Sequence, residues 1–164
     1  TDPVSRLCRQ QVKKITDLAS KTKLQRSRFC FHSNDEAHLQ EMHICLNNGS
    51  YVRPAKHLKK IESVTVIDGF SKLILFQDDG FINEIIELGP YTSGRNYYYR
   101  LNRPTFHTIL VETEVFLFHE VTEGPFRALE TEPAKWAPSE SDVHACSKFL
   151  IFLKSATVGE RFHG

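Results

Sequence analysis

The chain lacks any apolar run approaching the ~20 residues that span a bilayer, and its first residues, TDPVSRLCRQ, hold no basic segment followed by an apolar one. Neither a membrane span nor a secretory signal is expected from these residues, and a cytoplasmic protein is. Cysteine is sparse and scattered: Cys8, Cys30, Cys45 and Cys146 form no C-x-x-C pair, which argues against a zinc knuckle or a small disulfide framework and fits a reduced compartment. An excess of charge is missing too, since Lys plus Arg number 21 against 20 for Asp plus Glu. The summed field therefore gives no case for nucleic acid or a polybasic membrane contact, and partners must be recognised locally. No Pro/Gly/Ser-rich linker, solenoid repeat or low-complexity tract divides the 164 residues, so one domain over residues 1–164 is expected.

Local patterns supply the elements. Asp2 followed by Pro3 reads as an N-cap with proline at the first helical position. Val4, Leu7, Val12, Ile15 and Leu18 then recur at helical spacing, predicting a helix over residues 1–20. The basic, aperiodic stretch from Lys21 to Arg28 reads as a solvated connector. From His38 onward the pattern changes to short β-branched and aromatic runs bounded by turn residues. Strands are expected at 38–46, 63–67 and 72–76; Asp78, Asp79 and Gly80 turn the chain into 81–88; and 108–112 and 115–121 flank Thr113-Glu114. Many short strands at this spacing predict a mainly β sandwich or barrel over residues 38–126. Pro138, Ser139 and Asp142 read as a capping arrangement for a C-terminal helix over 139–153, with Val143, Cys146, Phe149, Leu150 and Leu153 on its apolar face.

The stretch GSYVRPAKHLKKIESVTVIDG places His57 five residues before Glu62, between the turn residues Gly49 and Gly69, and His107 follows a turn containing Pro104. Two imidazoles and a carboxylate are the ingredients of a facial metal site with positions open to water or substrate. At these residues the chain resembles the cupins, whose first motif reads G-x5-H-x-H-x4-E-x6-G and whose second centres on a histidine after a proline-containing turn. It is similar in more detail to the WbuC-type cupin-fold metalloproteins found with bacterial O-antigen genes. That likeness runs through RSRFCFH from Arg26 to His32, YVRP from Tyr51, FQDDG from Phe76, His107-Thr108, GPF from Gly124 and WAP from Trp136. The resemblance implies a double-stranded β-helix, the cupin or jelly-roll barrel, carrying an N-terminal and a C-terminal helix, and a homodimer.

Ala55 stands where the family motif has its first metal-binding histidine, and a methyl group donates no lone pair. Residues 55 and 57 share one strand face, so Ala55 opens space beside His57. His57, Glu62 and His107 remain as ligands for a divalent transition metal (iron, zinc, manganese or nickel), with water completing the shell. The alternative is a vacant site, with the histidines hydrogen-bonded in a pocket and Glu62 paired to Lys56, Lys59 or Lys60. His32, His43 and His119 are the candidates for a replacement ligand.

Planar guanidinium groups suit phosphate or carboxylate. Arg53, Arg95, Arg100 and Arg103, joined by Arg26 and Arg28, are the candidates to frame a pocket mouth, with Lys56 in the same set. Tyr97, Tyr98 and Tyr99 offer stacking faces and hydroxyls suited to a sugar; the alternative has them alternating between core and surface. His107 or a tyrosine is the candidate acid or base. Three functions fit these residues. The first is a cupin with a degenerate metal site and a small anionic or sugar-derived ligand, in bacterial O-antigen or polysaccharide biosynthesis. The others are a metal-free sugar isomerase or epimerase, and a non-catalytic binding or assembly protein. No nucleic-acid or membrane partner is expected.

Overall fold

The computed structural model describes residues 3–164. Helix α1 spans Arg9–Ala19. The expected cap at Asp2 lies outside the described residues, and Pro3 to Cys8 are not helical. The helix starts where its first free amide finds a partner, since Gln11 Oε1 accepts from the Cys8 N–H at 2.8 Å. Val12, Ile15 and Ala19, with Leu7, pack on Cys45, Val115 and Leu117, whereas Val4 and Leu18, expected on the apolar face, are exposed.

Ten strands follow: β1 Arg26–Cys30, β2 Leu39–Asn47, β3 Ala55–His57, β4 Glu62–Asp68, β5 Ser71–Phe76, β6 Ile82–Leu88, β7 Tyr98–Leu101, β8 Phe106–Val111, β9 Val115–Glu123 and β10 Thr131–Pro133. They form two five-stranded sheets, β1-β2-β9-β4-β7 and β10-β3-β8-β5-β6. All their pairings are antiparallel. The fold is mainly β, two facing sheets with a helix on each side. Strands lie outside the expected 38–126 span at both ends. Part of the segment read as a solvated connector is the edge strand β1, in register with β2 from Arg26 opposite Leu46 to Cys30 opposite Met42.

Strand alternation decides what fills the space between the sheets. Leu46, Val64, Val66, Ile109, Val111, Phe116 and Phe118 face inward and pack together at one end. Toward the other end the same inward faces carry Glu62 at the start of β4, His107 near the start of β8, and Glu120 and Thr122 near the end of β9. The barrel is therefore apolar at one end and polar at the other, and the polar end carries the site.

Outward residues of the second sheet, Ile74, Phe76, Phe106 and Leu110, are covered by helix α2, Val143–Ser155, through Cys146, Phe149 and Leu153. Burying a phenylalanine such as Phe149 stabilises by roughly 2–3 kcal/mol. The helix is capped by Asp142, whose carboxylate accepts from the Ala145 N–H at 2.9 Å. It begins later than residue 139 because the Ser139 carbonyl accepts from the Asp142 N–H in a separate preceding turn. Among the described residues no helix is long and apolar enough to cross a membrane.

Candidate functional site

Three strands from both sheets deliver the central side chains. In β3, Ala55 and His57 point inward and Lys56 points out. Ala55 lies directly opposite His107 of β8, and Thr131 of β10 lies opposite His57. Glu62 opens β4 from the other sheet, in register with Thr122 and Leu101. The stretch closes at Gly69, at φ +82°, where a Cβ would strike the Val115 carbonyl, so the turn requires glycine.

The ligating atoms of His57, Glu62 and His107 all lie within 4.8 Å of one another. His57 Nε2 is 3.0 Å from one Glu62 carboxylate oxygen, and His107 Nε2 is 3.8 Å from the other. The outer nitrogens are also held. His107 Nδ1–H donates to the Thr105 carbonyl at 2.9 Å, which in the neutral ring leaves the Nε2 lone pair facing Glu62. His57 Nδ1 meets the Thr131 hydroxyl at 3.1 Å, and because that hydroxyl donates or accepts, His57 presents either an N–H or a lone pair at Nε2. Two oriented imidazoles and a carboxylate form a donor set that fits a divalent transition metal, with the position beside Ala55 left to water or a ligand atom.

Glu62 is only 5% exposed. Burial pushes its carboxyl up, but the His57 hydrogen bond and the charges of both imidazoles outweigh that and hold it below its ordinary value. The Tyr99 hydroxyl donates to Glu62 Oε1 at 3.4 Å, and its own proton is held well above the usual tyrosine range by burial and by that carboxylate.

The cluster forms the floor of a cavity with two lobes, of about 530 and 270 Å³, which share Arg28, His57, Glu62 and Glu120. Of the residues expected to bind ligand, Arg53 and Tyr99 line the smaller lobe. The others lie elsewhere, Tyr98 and Arg100 being exposed on β7. Lys56 faces outward, paired with Asp78 at 3.1 Å and lying over the Phe106 ring. Arg95 is engaged by Glu112 and Glu87 and packs on Phe70. Tyr97 is 44% exposed and packs edge-on against Tyr91, and Arg103 is exposed in the loop before β8. Arg26 and Arg28, expected to join them, do line the cavity, and Arg26 is spent in a two-pronged contact with Glu140.

The replacement histidines sort in the same way. His43 and His119 stack on the outer face of the first sheet, where His119 Nε2 meets Glu41 at 2.9 Å, so neither reaches the cluster. His32 lines the larger lobe, but its Nδ1 accepts from the Glu41 N–H at 3.0 Å and it stands outside the ligating group.

Among the cavity residues that escaped the sequence reading is a second carboxyl. Glu120 lines both lobes, opposite Met42 and Val64. Burial, then the nearby Glu62 charge, raise its carboxyl to about 8, with Arg28 acting in the opposite direction. The signal was available, because Phe116 and Phe118 are inward and the two-residue period carries that face to position 120 rather than to His119.

A comparison with curated proteins finds no match. Among solved structures the fold is similar to protein SO0799 of Shewanella oneidensis, at 10% identity and a TM-score of 0.56 over 82% of this chain and 87% of that one. It is also similar to Rru_A2000 of Rhodospirillum rubrum, a cupin-2 domain, at 11% identity and a TM-score of 0.51 over 77% and 78%. CapF, solved with the inhibitor 3-isopropenyl-tropolone, shares 15% identity at a TM-score of 0.53 over 67% of this chain and 32% of that one. The likeness at these identities is one of fold, and the fold is the cupin barrel. With residues 7–88, half of the chain, matching it, the protein belongs to the family described as Domain of unknown function (DUF6016).

Proposed function

We propose that this chain is a small-molecule cupin in which His57, Glu62 and His107 hold a divalent transition metal at the floor of a cavity that takes a small anionic or sugar-derived ligand. The observation that carries this reading is the convergence of three ligating side chains, from β3, β4 and β8, within 4.8 Å. A bound divalent cation would supply Lewis acidity toward a ligand oxygen. The chain's own groups do the rest: Thr105 and Thr131 orient the imidazoles, Tyr99 holds Glu62, and Arg28 and Arg53 attract an anion. The finer likeness to WbuC-type proteins is supported by where its segments lie. Arg28, Cys30 and His32 of RSRFCFH, Arg53 of YVRP and Phe126 of GPF all line the cavity. The proposal accordingly extends to bacterial O-antigen or polysaccharide metabolism.

Elemental analysis of protein purified without chelator tests it. Near-stoichiometric divalent metal is expected, falling at least ~10-fold in His57→Ala. An empty wild type, or equal retention by the variant, removes the metal from the reading. A metal-free isomerase or epimerase is favoured by one observation: Glu62 and Glu120 line both lobes of one cavity, with burial raising the Glu120 carboxyl and the His57 hydrogen bond helping to hold Glu62 below its ordinary value, the placement of an acid beside a base. Turnover of a nucleotide sugar that survives complete metal removal selects this second reading, and loss on removal rejects it.

A further inference from the structure

Resting on the reading of the cavity as a ligand site, we infer that its smaller lobe is a carboxylate subsite, taking the carboxylate of a small organic monoacid between Arg28 and Arg53 beside Ala55. Both guanidinium groups line this lobe. Among the described residues neither has a carboxylate within 4 Å, unlike Arg26, which is paired with Glu140. Arg53 is also held in place, since one terminal nitrogen donates to the Ala134 carbonyl at 2.8 Å. A guanidinium fixed by one hydrogen bond and lacking a carboxylate partner offers its remaining donors to an acceptor that enters the lobe. Among the described residues the Arg28 guanidinium has no hydrogen-bond partner, and it influences Glu120 only through space.

The rest of the lobe decides which anion. Ile44, Leu46, Val52, Ile109 and Phe118 make an apolar wall, which suits the carbon body of an organic acid and gives nothing to a hydrated inorganic ion. The two hydroxyls on the lining are already donating, Thr108 to the Val52 carbonyl at 2.6 Å and Tyr99 to Glu62 at 3.4 Å. Glu62 and Glu120 also line the lobe, and the Glu62 charge repels a dianionic phosphate about twice as strongly as a monocarboxylate. Two planar forks match the two oxygens of a carboxylate. A histidine at position 55 would occupy the space that the methyl group of Ala55 leaves open.

Titration calorimetry with pyruvate, inorganic phosphate and glycerol tests the subsite, on protein as purified and on protein stripped of metal with the chelator dialysed away. Pyruvate is expected to saturate one site in both samples, with phosphate and glycerol at least ~10-fold weaker, and Arg28→Gln and Arg53→Lys should each weaken pyruvate by ~10-fold or more. Arg53→Lys keeps the charge and loses the fork; should that variant fail to fold, Arg28→Gln on the exposed edge strand decides alone. Absent pyruvate binding, phosphate binding as tight as pyruvate, indifference to both substitutions, or loss of pyruvate binding on metal removal would each overturn the inference. Metal content measured on the same samples separates the two readings. Metal without pyruvate binding sinks the subsite and leaves the metal centre, and pyruvate binding without metal does the reverse.

Discussion

Replacing Glu120 by Gln should make the protein more stable, by an amount that grows with pH. In the folded chain this carboxyl keeps its proton to about 8, and its ordinary value is 4.5. Below pH 4.5 the group is protonated whether the chain is folded or not, and it contributes nothing to the difference. As pH rises from 4.5 to 8 the unfolded chain releases the proton and the folded chain retains it, so the unfolded state binds fewer protons and stability falls with pH. Each pH step across that window is worth about 1.4 kcal/mol, which bounds the full penalty at roughly 5 kcal/mol above pH 8. Glutamine has the shape of the protonated acid and does not titrate. Urea unfolding of metal-stripped wild type and Glu120→Gln at pH 5, 7 and 9 checks this. The two should be nearly equal at the lowest pH and several kcal/mol apart at the highest, the variant being the more stable. Titrating groups that do not interact with Glu120 cancel in the difference, and Glu62, whose charge raises Glu120, is held ionised in both proteins across this window. Curves that stay parallel across pH would show that Glu120 ionises freely in the fold, and would remove the acid from the cavity.

Restoring the missing histidine, Ala55→His, should raise affinity for zinc by roughly 10- to 100-fold, on the scale of ligand-shell changes in metal sites; competition with a chromophoric chelator measures it, and an unchanged affinity would mean that position 55 does not face the cluster. Phe149→Ala should cost about 3–5 kcal/mol in urea unfolding, because the fully buried ring joins α2 to Tyr51 and to the outer face of the second sheet; a loss under 1 kcal/mol would show that the helix contributes little to the barrel.

What could be read in advance follows from the period of the strands. The spacing from Gly49 through His57 and Glu62 to Gly69 survives folding, because it encodes a turn, an inward face and a second turn, all local. The strand positions around 63–67, 72–76 and 115–121 were readable for the same reason, since their inward faces are apolar where the core lies. Strand β1 was not, because its inward residues, Arg26, Arg28 and Cys30, line the cavity instead of the apolar core, and no apolar alternation remains to announce a strand. Lys56 could have been excluded by parity, since residues 55 and 57 facing inward turn 56 out. Arg95, Tyr97 and Arg103 sit outside regular strands, where neither the 2 nor the 3.6 period assigns a face, and only the tertiary fold places them.

Ala55 ties the two chemical readings together. Its backbone lies opposite His107, and its side chain opens on the lobe that holds Arg28 and Arg53. A histidine there would add a nitrogen to the cluster and, by its size, take volume from a lobe of only 270 Å³. The small residue therefore trades metal affinity for ligand space, and the trade is favourable if the ligand itself supplies an oxygen where the imidazole would have stood. On that logic the site is shaped to set an organic anion beside the cation rather than to enclose the cation with protein ligands alone. The guanidinium groups of Arg28 and Arg53, neither paired with a carboxylate among the described residues, stand on that lobe as the charge an organic anion would meet.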